Sequence, residues 1–225
     1  MGRITSEFLG TFLLCCFALI GNPLSMALGL AVLLWVFGGL RAVTFNPAAT
    51  FALLLRRRVG WVGFAGHLGV QLAAALVAAL VTGLLAAHNP ERLAEGSSVV
   101  PEAWLGALVA EGISTFGYVL VFLAALASRR AAGSLLAPFV VGAGAFALQG
   151  AFASLSSFMN PAVLLAWGVH DLVNSLRADE PAAAFAGELA RFGRFVPWAF
   201  VLLACQVAGT AAAWLVLRVT HPEDR

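Results

Sequence analysis

Two Asn-Pro-Ala triplets, Asn46-Pro47-Ala48 and Asn160-Pro161-Ala162, and two glutamates set inside apolar runs, Glu7 and Glu111, are the residues of this chain best placed to do chemistry. Asn is a preferred helix N-cap, and Pro at the first helical position has no amide hydrogen to leave unpaired. Each triplet therefore reads as a helix start, whose free amide hydrogens and positive dipole end disfavour cations. One such triplet is an ordinary helix-start signal, whereas two at matching places in a repeat are hard to assign to chance. A carboxyl group inside a membrane segment is costly and finds partners, so Glu7 and Glu111 either hold buried backbone or relay protons. The structural role is favoured.

Eleven residues run from Asn46 to Arg56 and eleven from Asn160 to His170. As helix each gives ~16 Å, about half of a ~30 Å hydrocarbon layer. Two half-helices entering from opposite faces would bring their N-termini together at the midplane. The irregular backbone before each motif, Arg41–Phe45 and Leu155–Met159, is tolerable at that depth where it lines a watery cavity or is buried in protein.

The elements around these motifs follow from composition. Hydrophobic residues make up 61% of the chain and charged residues 11%, against roughly a quarter charged in a soluble domain. Uncharged stretches fall at Phe8–Leu40, Val59–Pro90, Gly112–Ser128, Ala131–His170 and Phe195–Leu217. Gly21-Asn22-Pro23 breaks the first into two spans. The expected fold is an all-α membrane protein with six transmembrane helices and two half-helices. Glu7 inside the first run, and no small-residue cleavage site after it, argue against a removed signal peptide.

With both termini cytoplasmic, Arg3, Arg41, Arg56, Arg57, Arg58, Arg129, Arg130, Arg218 and Arg225 lie inside, against Arg92, Arg177, Arg191 and Arg194 outside, in keeping with the positive-inside rule. Glu91, Glu95, Glu102, Asp171, Asp179, Glu180 and Glu188 collect in the outer loops. All basic residues are Arg, and the compact chain has a bacterial look, which places it in a plasma membrane.

Glu7-Phe8-Leu9-Gly10-Thr11-Phe12 is echoed by Glu111-Gly112-Ile113-Ser114-Thr115-Phe116, the first triplet by the second, and Val70-Gln71-Leu72-Ala73 by Cys205-Gln206-Val207-Ala208. Three echoes in one order make a repeat. An odd number of spans per half inverts the second, giving repeats of about 4–88 and 104–217 within a single channel domain, 1–225. Inverted repeats place a functional site between the halves near the midplane.

Over Glu7 to about Leu217 these motifs resemble the aquaporin and aquaglyceroporin family. The resemblance implies that Asn46 and Asn160 donate hydrogen bonds to a permeating molecule at the pore constriction and that Glu7 and Glu111 hold loop backbone behind it. It also implies a homotetramer. One departure stands out: an arginine usually follows the family's second motif, and here the residue is Val163. Leu28, Leu148 and Ser157 complete the expected selectivity filter, with Gln149 replacing Leu148 after a one-residue slip. Such a ring has one hydroxyl and no charge, which relaxes exclusion of larger neutral solutes or lets the pore dewet.

The expected function is passive permeation of water or small uncharged solutes of the glycerol, peroxide or ammonia class. The alternatives are a proton-coupled transporter on the same scaffold, with Glu7 and Glu111 as carriers, and a non-conducting structural relative. No nucleophile sits with a plausible base, and the chain has no Lys for a phosphate-binding loop. Cys15, Cys16 and Cys205 lie in apolar segments without ligand spacing. No enzyme activity, cofactor, metal or nucleic-acid partner is expected; membrane lipid and small neutral solutes are.

Phe185, Leu189, Phe192 and Phe195 at three- and four-residue spacing suggest that Ala182–Phe195 is an amphipathic helix on the membrane surface or vestibule. His67, His88, His170 and His221 are scattered and give no common switch. Small-residue runs, Gly38-Gly39 and Gly142-Ala143-Gly144-Ala145, favour close helix packing.

Overall fold

The computed structural model describes residues 2–38, 43–86, 104–127, 134–176 and 181–221. Arg41, His88, Glu91, Arg92, Glu95, Glu102, Arg129, Arg130, Arg177, Asp179, Glu180 and Arg225 lie outside the described residues, and with them part of the charge asymmetry. Everything regular among the described residues is helical.

Helix α1 (Arg3–Ile20) and α2 (Pro23–Phe37) form a tight hairpin. Its turn is set by Asn22, whose Oδ1 accepts the Ser25 N–H at 2.9 Å while Ser25 Oγ accepts the Asn22 N–H at 2.8 Å. This reciprocal cap satisfies two otherwise unpaired donors. Then follow α3 (Pro47–Leu55), α4 (Trp61–Ala86), α5 (Trp104–Phe122, continued by a π-helical turn at Leu123–Ala127), α6 (Ala137–Phe152), α7 (Pro161–Ser175) and α8 (Pro181–Thr220).

Among the described residues, four helices are long and apolar enough to cross a membrane: Arg3–Ile20, Trp61–Leu85, Trp104–Leu126 and Ala182–Thr220. The shorter apolar helices α2 and α6, with 15 and 16 residues, pack along one another. At ~1.5 Å per residue they reach about 22–24 Å, short of a ~30 Å layer. Helix α3, with nine residues, rises only ~14 Å. Outward faces carry large apolar side chains at high exposure, among them Val62 at 89%, Trp61 at 73% and Phe200 at 68%. Contiguous exposed apolar surface of this kind belongs against lipid.

Polar residues gather inside instead. Glu7, Thr44, Gln71, Glu111, Thr115, Gln206 and Thr210 are fully buried. Close helix approach comes from glycine at particular crossings: a Cβ on Gly209 of α8 would stand 2.5 Å from the Gly112 carbonyl of α5. At Gly142 of α6 it would meet the Ala27 carbonyl of α2 at 2.6 Å. No side chain larger than hydrogen fits either crossing without shifting backbone.

The segment Ala182–Phe195 is not a separate surface helix. It forms the first turns of α8, a continuous 40-residue helix with Pro197 in its interior. Forty residues give ~60 Å, twice the hydrocarbon thickness, and the N-terminal part of the helix packs on α7. Packing decides this: a Cβ on Gly168 of α7 would lie 2.1 Å from the Phe195 ring, and Leu164, Phe195 and Leu202 share one apolar cluster.

Candidate functional site

Helices α3 and α7 begin at the two motifs. Asn46 Oδ1 accepts the Ala48 N–H at 2.8 Å, and Asn160 Oδ1 accepts the Ala162 N–H at 2.9 Å. With the oxygens fixed as caps, the amide nitrogens are left to point across the molecule. Asn46 Nδ2 donates to the Met159 carbonyl at 2.9 Å, and Asn160 Nδ2 donates to the Phe45 carbonyl at 3.0 Å. The two motifs are thereby cross-linked, N-terminus to N-terminus. Each Nδ2 keeps a second hydrogen.

The residue before each cap is bent to make this possible. Phe45 and Met159 both have φ of 54°, the left-handed region, which costs a non-glycine residue on the order of 1–3 kcal/mol. The two buried glutamates hold these bends. Glu7 accepts the Thr44 N–H at 2.8 Å on Oε1 and the Phe45 N–H at 3.0 Å on Oε2. Glu111 accepts the Met159 N–H at 2.7 Å on Oε1 and the Phe158 N–H at 3.0 Å on Oε2.

Each glutamate is steadied by a glutamine from the third long helix of its half: Gln71 Nε2 donates to Glu7 Oε2 at 2.9 Å, and Gln206 Nε2 to Glu111 Oε1 at 2.7 Å. The two halves differ in detail. Thr44 and Thr50 share a 2.6 Å hydroxyl contact beside Glu7, whereas Ser156 Oγ donates to Glu111 Oε2 at 2.7 Å. His67 Nε2 lies 3.9 Å from Glu7 Oε1, and His170 meets Thr82 Oγ1 through Nδ1 at 2.9 Å. The described histidines do not converge.

Outside the asparagine pair opens a cavity of about 540 Å³. Met26, Gln149, Ser157 and Val163 all line it. The expected filter residues Ser157 and Val163 are therefore brought together. Leu28 is not: it is 54% exposed, on the outward stripe of α2 with Leu24, Val32 and Trp35, and the helix turns Met26 inward instead. Nor is Leu148, whose side chain packs toward Gly117 of α5, where an added Cβ would touch it at 2.9 Å. Its neighbour Gln149 faces the cavity, with Nε2 3.2 Å from Met26 Sδ and Oε1 without a hydrogen-bond partner.

The extension of α8 closes the far side. Arg191 lines the cavity with Asp171 and Glu188, and its Nη1 pairs with Glu188 Oε1 at 2.7 Å. With its arginine half-exposed the pair contributes little to stability, but it sets a guanidinium in the cavity wall, although Val163 stands where the resemblance leads one to expect arginine. The sequence assigns no site role to Met26, Gln71, Gln206 or Arg191. The glutamines are marked by the repeat echo and Arg191 only by its place on the outer side, while nothing local marks Met26.

The chain is similar in sequence to known proteins whose names are those of membrane-transport proteins. A glycerol uptake facilitator protein-like 6 of Lactiplantibacillus plantarum is 30% identical over 135 residues, covering 55% of this chain and 62% of that protein. A probable aquaporin TIP3-2 of Oryza sativa subsp. japonica is 32% identical over 140 residues, covering 58% of this chain and 48% of that protein. The chain thus spans less than two thirds of the length of these relatives. Residues 1–174, the stretch that contains both capped motifs and the glutamates behind them, match the Major intrinsic protein family, and the chain belongs to that family.

Proposed function

We propose that this protein is a passive transmembrane channel for water and small uncharged solutes of the glycerol, peroxide or ammonia class. The observation that carries the reading is the reciprocal pair, Asn46 to Met159 and Asn160 to Phe45, which sets two helix N-termini against each other. Positive dipole ends meeting there disfavour cations, and each asparagine retains an amide hydrogen for a neutral molecule. The outer filter is Met26, Gln149, Ser157 and Val163, which offers an amide, a hydroxyl and a thioether but no fixed charge.

A proton-coupled transporter is the weaker reading, because Glu7 and Glu111 are each engaged by two backbone N–H groups and a glutamine. A proton on either would displace one of those donors. We place the unit in a cell membrane with both termini cytoplasmic, as two inverted repeats of about 4–88 and 104–217 within 1–225. A homotetramer with one pore per protomer fits the apolar outer faces.

The test is stopped-flow volume change of proteoliposomes under sucrose and glycerol gradients, comparing the natural chain, Val163→Arg and empty vesicles at equal incorporation. Glycerol uptake above empty vesicles that Val163→Arg suppresses is the expected result. Water and glycerol rates equal to those of empty vesicles would count against the channel.

A further inference from the structure

Tyr118 is the single tyrosine of the chain. It lies on α5 seven residues after Glu111, two helical turns along the same inward face. Its side chain is 3% exposed, and its ring stacks on Phe122 with centroids 6.3 Å apart. It belongs to an apolar cluster with Met26, Leu30, Phe45 and Ala48.

Packing explains the ring but not the hydroxyl, which a phenylalanine would omit without losing these contacts. The matching position of the first half, seven residues after Glu7, is Leu14, equally buried and carrying no polar atom. Yet the Tyr118 hydroxyl is buried and has no hydrogen-bond partner. Buried hydroxyls without a partner are rare in native proteins, and each asks for a reason.

The reason is next to it. Phe45 and Ala48, which flank Asn46 in the chain, share the apolar cluster of Tyr118, and the hydroxyl makes no hydrogen bond to Asn46. The Asn46 oxygen is occupied by the Ala48 N–H and one amide hydrogen by the Met159 carbonyl. What Asn46 has left is one N–H, and what Tyr118 has is an O–H that both donates and accepts.

We propose that Tyr118 is a specificity-determining residue that contacts the permeant at the asparagine pair. This rests on the channel reading. A molecule passing Asn46 accepts its free N–H and, in the same step, exchanges a hydrogen bond with the Tyr118 hydroxyl. The ring narrows that side of the path, so the site suits small neutral molecules bearing hydroxyl groups, which can donate and accept at once. The central site is then asymmetric: polar where α5 faces it through Tyr118, apolar where α1 faces it through Leu14.

The experiment has two arms in proteoliposomes of the full chain. In the first, water and glycerol fluxes are compared for the natural chain, Tyr118→Phe and Tyr118→Val. Loss of the hydroxyl in Tyr118→Phe is expected to lower both rates about threefold or more. Tyr118→Val, which shortens the side chain, is expected to raise glycerol relative to water. Rates in Tyr118→Phe equal to those of the natural chain overturn the hydroxyl contact.

In the second arm, Tyr118→Cys and Val119→Cys are made with Cys15, Cys16 and Cys205 replaced by Ala, and mercuric ion labelling is read by mass spectrometry. Labelling of Tyr118→Cys but not Val119→Cys is expected. Protection of the Tyr118→Cys thiol overturns the placement whatever the flux. Absence of flux in every variant despite that labelling counts against the channel reading and, with it, the permeant contact.

Discussion

Asn46 donates its side-chain amide to the carbonyl of Met159, the residue immediately before Asn160, at 2.9 Å. One asparagine thus starts its own helix and holds the backbone bend that starts the other. Asn46→Ala removes an N-cap, worth about 1 kcal/mol, and leaves the buried Met159 carbonyl unpaired, at about 1–3 kcal/mol. Its thermal midpoint in detergent is expected to fall well below that of the natural chain. Asn160→Ala should cost a similar amount through Phe45, and a midpoint unchanged in both variants would show that the cross-link is not structural.

Glu111 accepts four hydrogen bonds, from Ser156, Phe158, Met159 and Gln206, at 2.7–3.0 Å. A glutamine there keeps one acceptor oxygen and turns an NH₂ group toward N–H donors. Glu111→Gln is therefore expected to lose stability and flux together, with no pH gradient able to restore transport. A proton carrier would behave differently: Glu111→Gln would stay folded, and the natural chain would accumulate solute against its gradient when the pH gradient is imposed. Solute accumulation in vesicles with and without that gradient separates the two.

Much of this centre is readable from sequence because its signals are local. Asn before Pro fixes a cap, and an echoed Glu fixes a partner for the bend before it. The filter was harder because helix rotation is not local. Leu28 and Met26 differ by two residues, about 200° around a helix, and both are apolar, so hydropathy alone cannot say which faces the cavity. The same holds for Leu148 and Gln149, where Gly117 admits the leucine toward α5 and so turns the glutamine inward. The segment Ala182–Phe195 has an amphipathic pattern that fits a surface helix or an extension of α8 equally well; the contact of Phe195 with Gly168 decides it.

The rotation of α2 gives a direct comparison. Met26→Ala removes a cavity-facing side chain and the sulfur beside Gln149 Nε2, so the glycerol-to-water permeability ratio is expected to change about twofold or more. Leu28→Ala trims a side chain that is 54% exposed and should leave the ratio as it was. Equal effects of the two, read by stopped flow at matched incorporation, would place the constriction elsewhere.

Gly10 offers the sharpest packing test. A Cβ added there would lie 2.1 Å from Cε1 of Phe45, and the ring cannot retreat easily. Phe45 is fully buried, its φ is 54°, its N–H is held by Glu7 and its carbonyl by Asn160. Moving it loosens both motifs at once. Gly10→Ala is expected to cost about 1–3 kcal/mol through overpacking and to reduce flux in whatever protein still inserts. Gly66 of α4 is the control, since nothing lies within 4 Å of its added Cβ, and alanine there should gain up to about 1 kcal/mol of helix propensity. Thermal midpoints moving in opposite directions, with flux lost only in Gly10→Ala, would show that the fit between Gly10 and Phe45 holds the centre; a Gly10→Ala protein with natural stability and flux would show that Phe45 is free to shift.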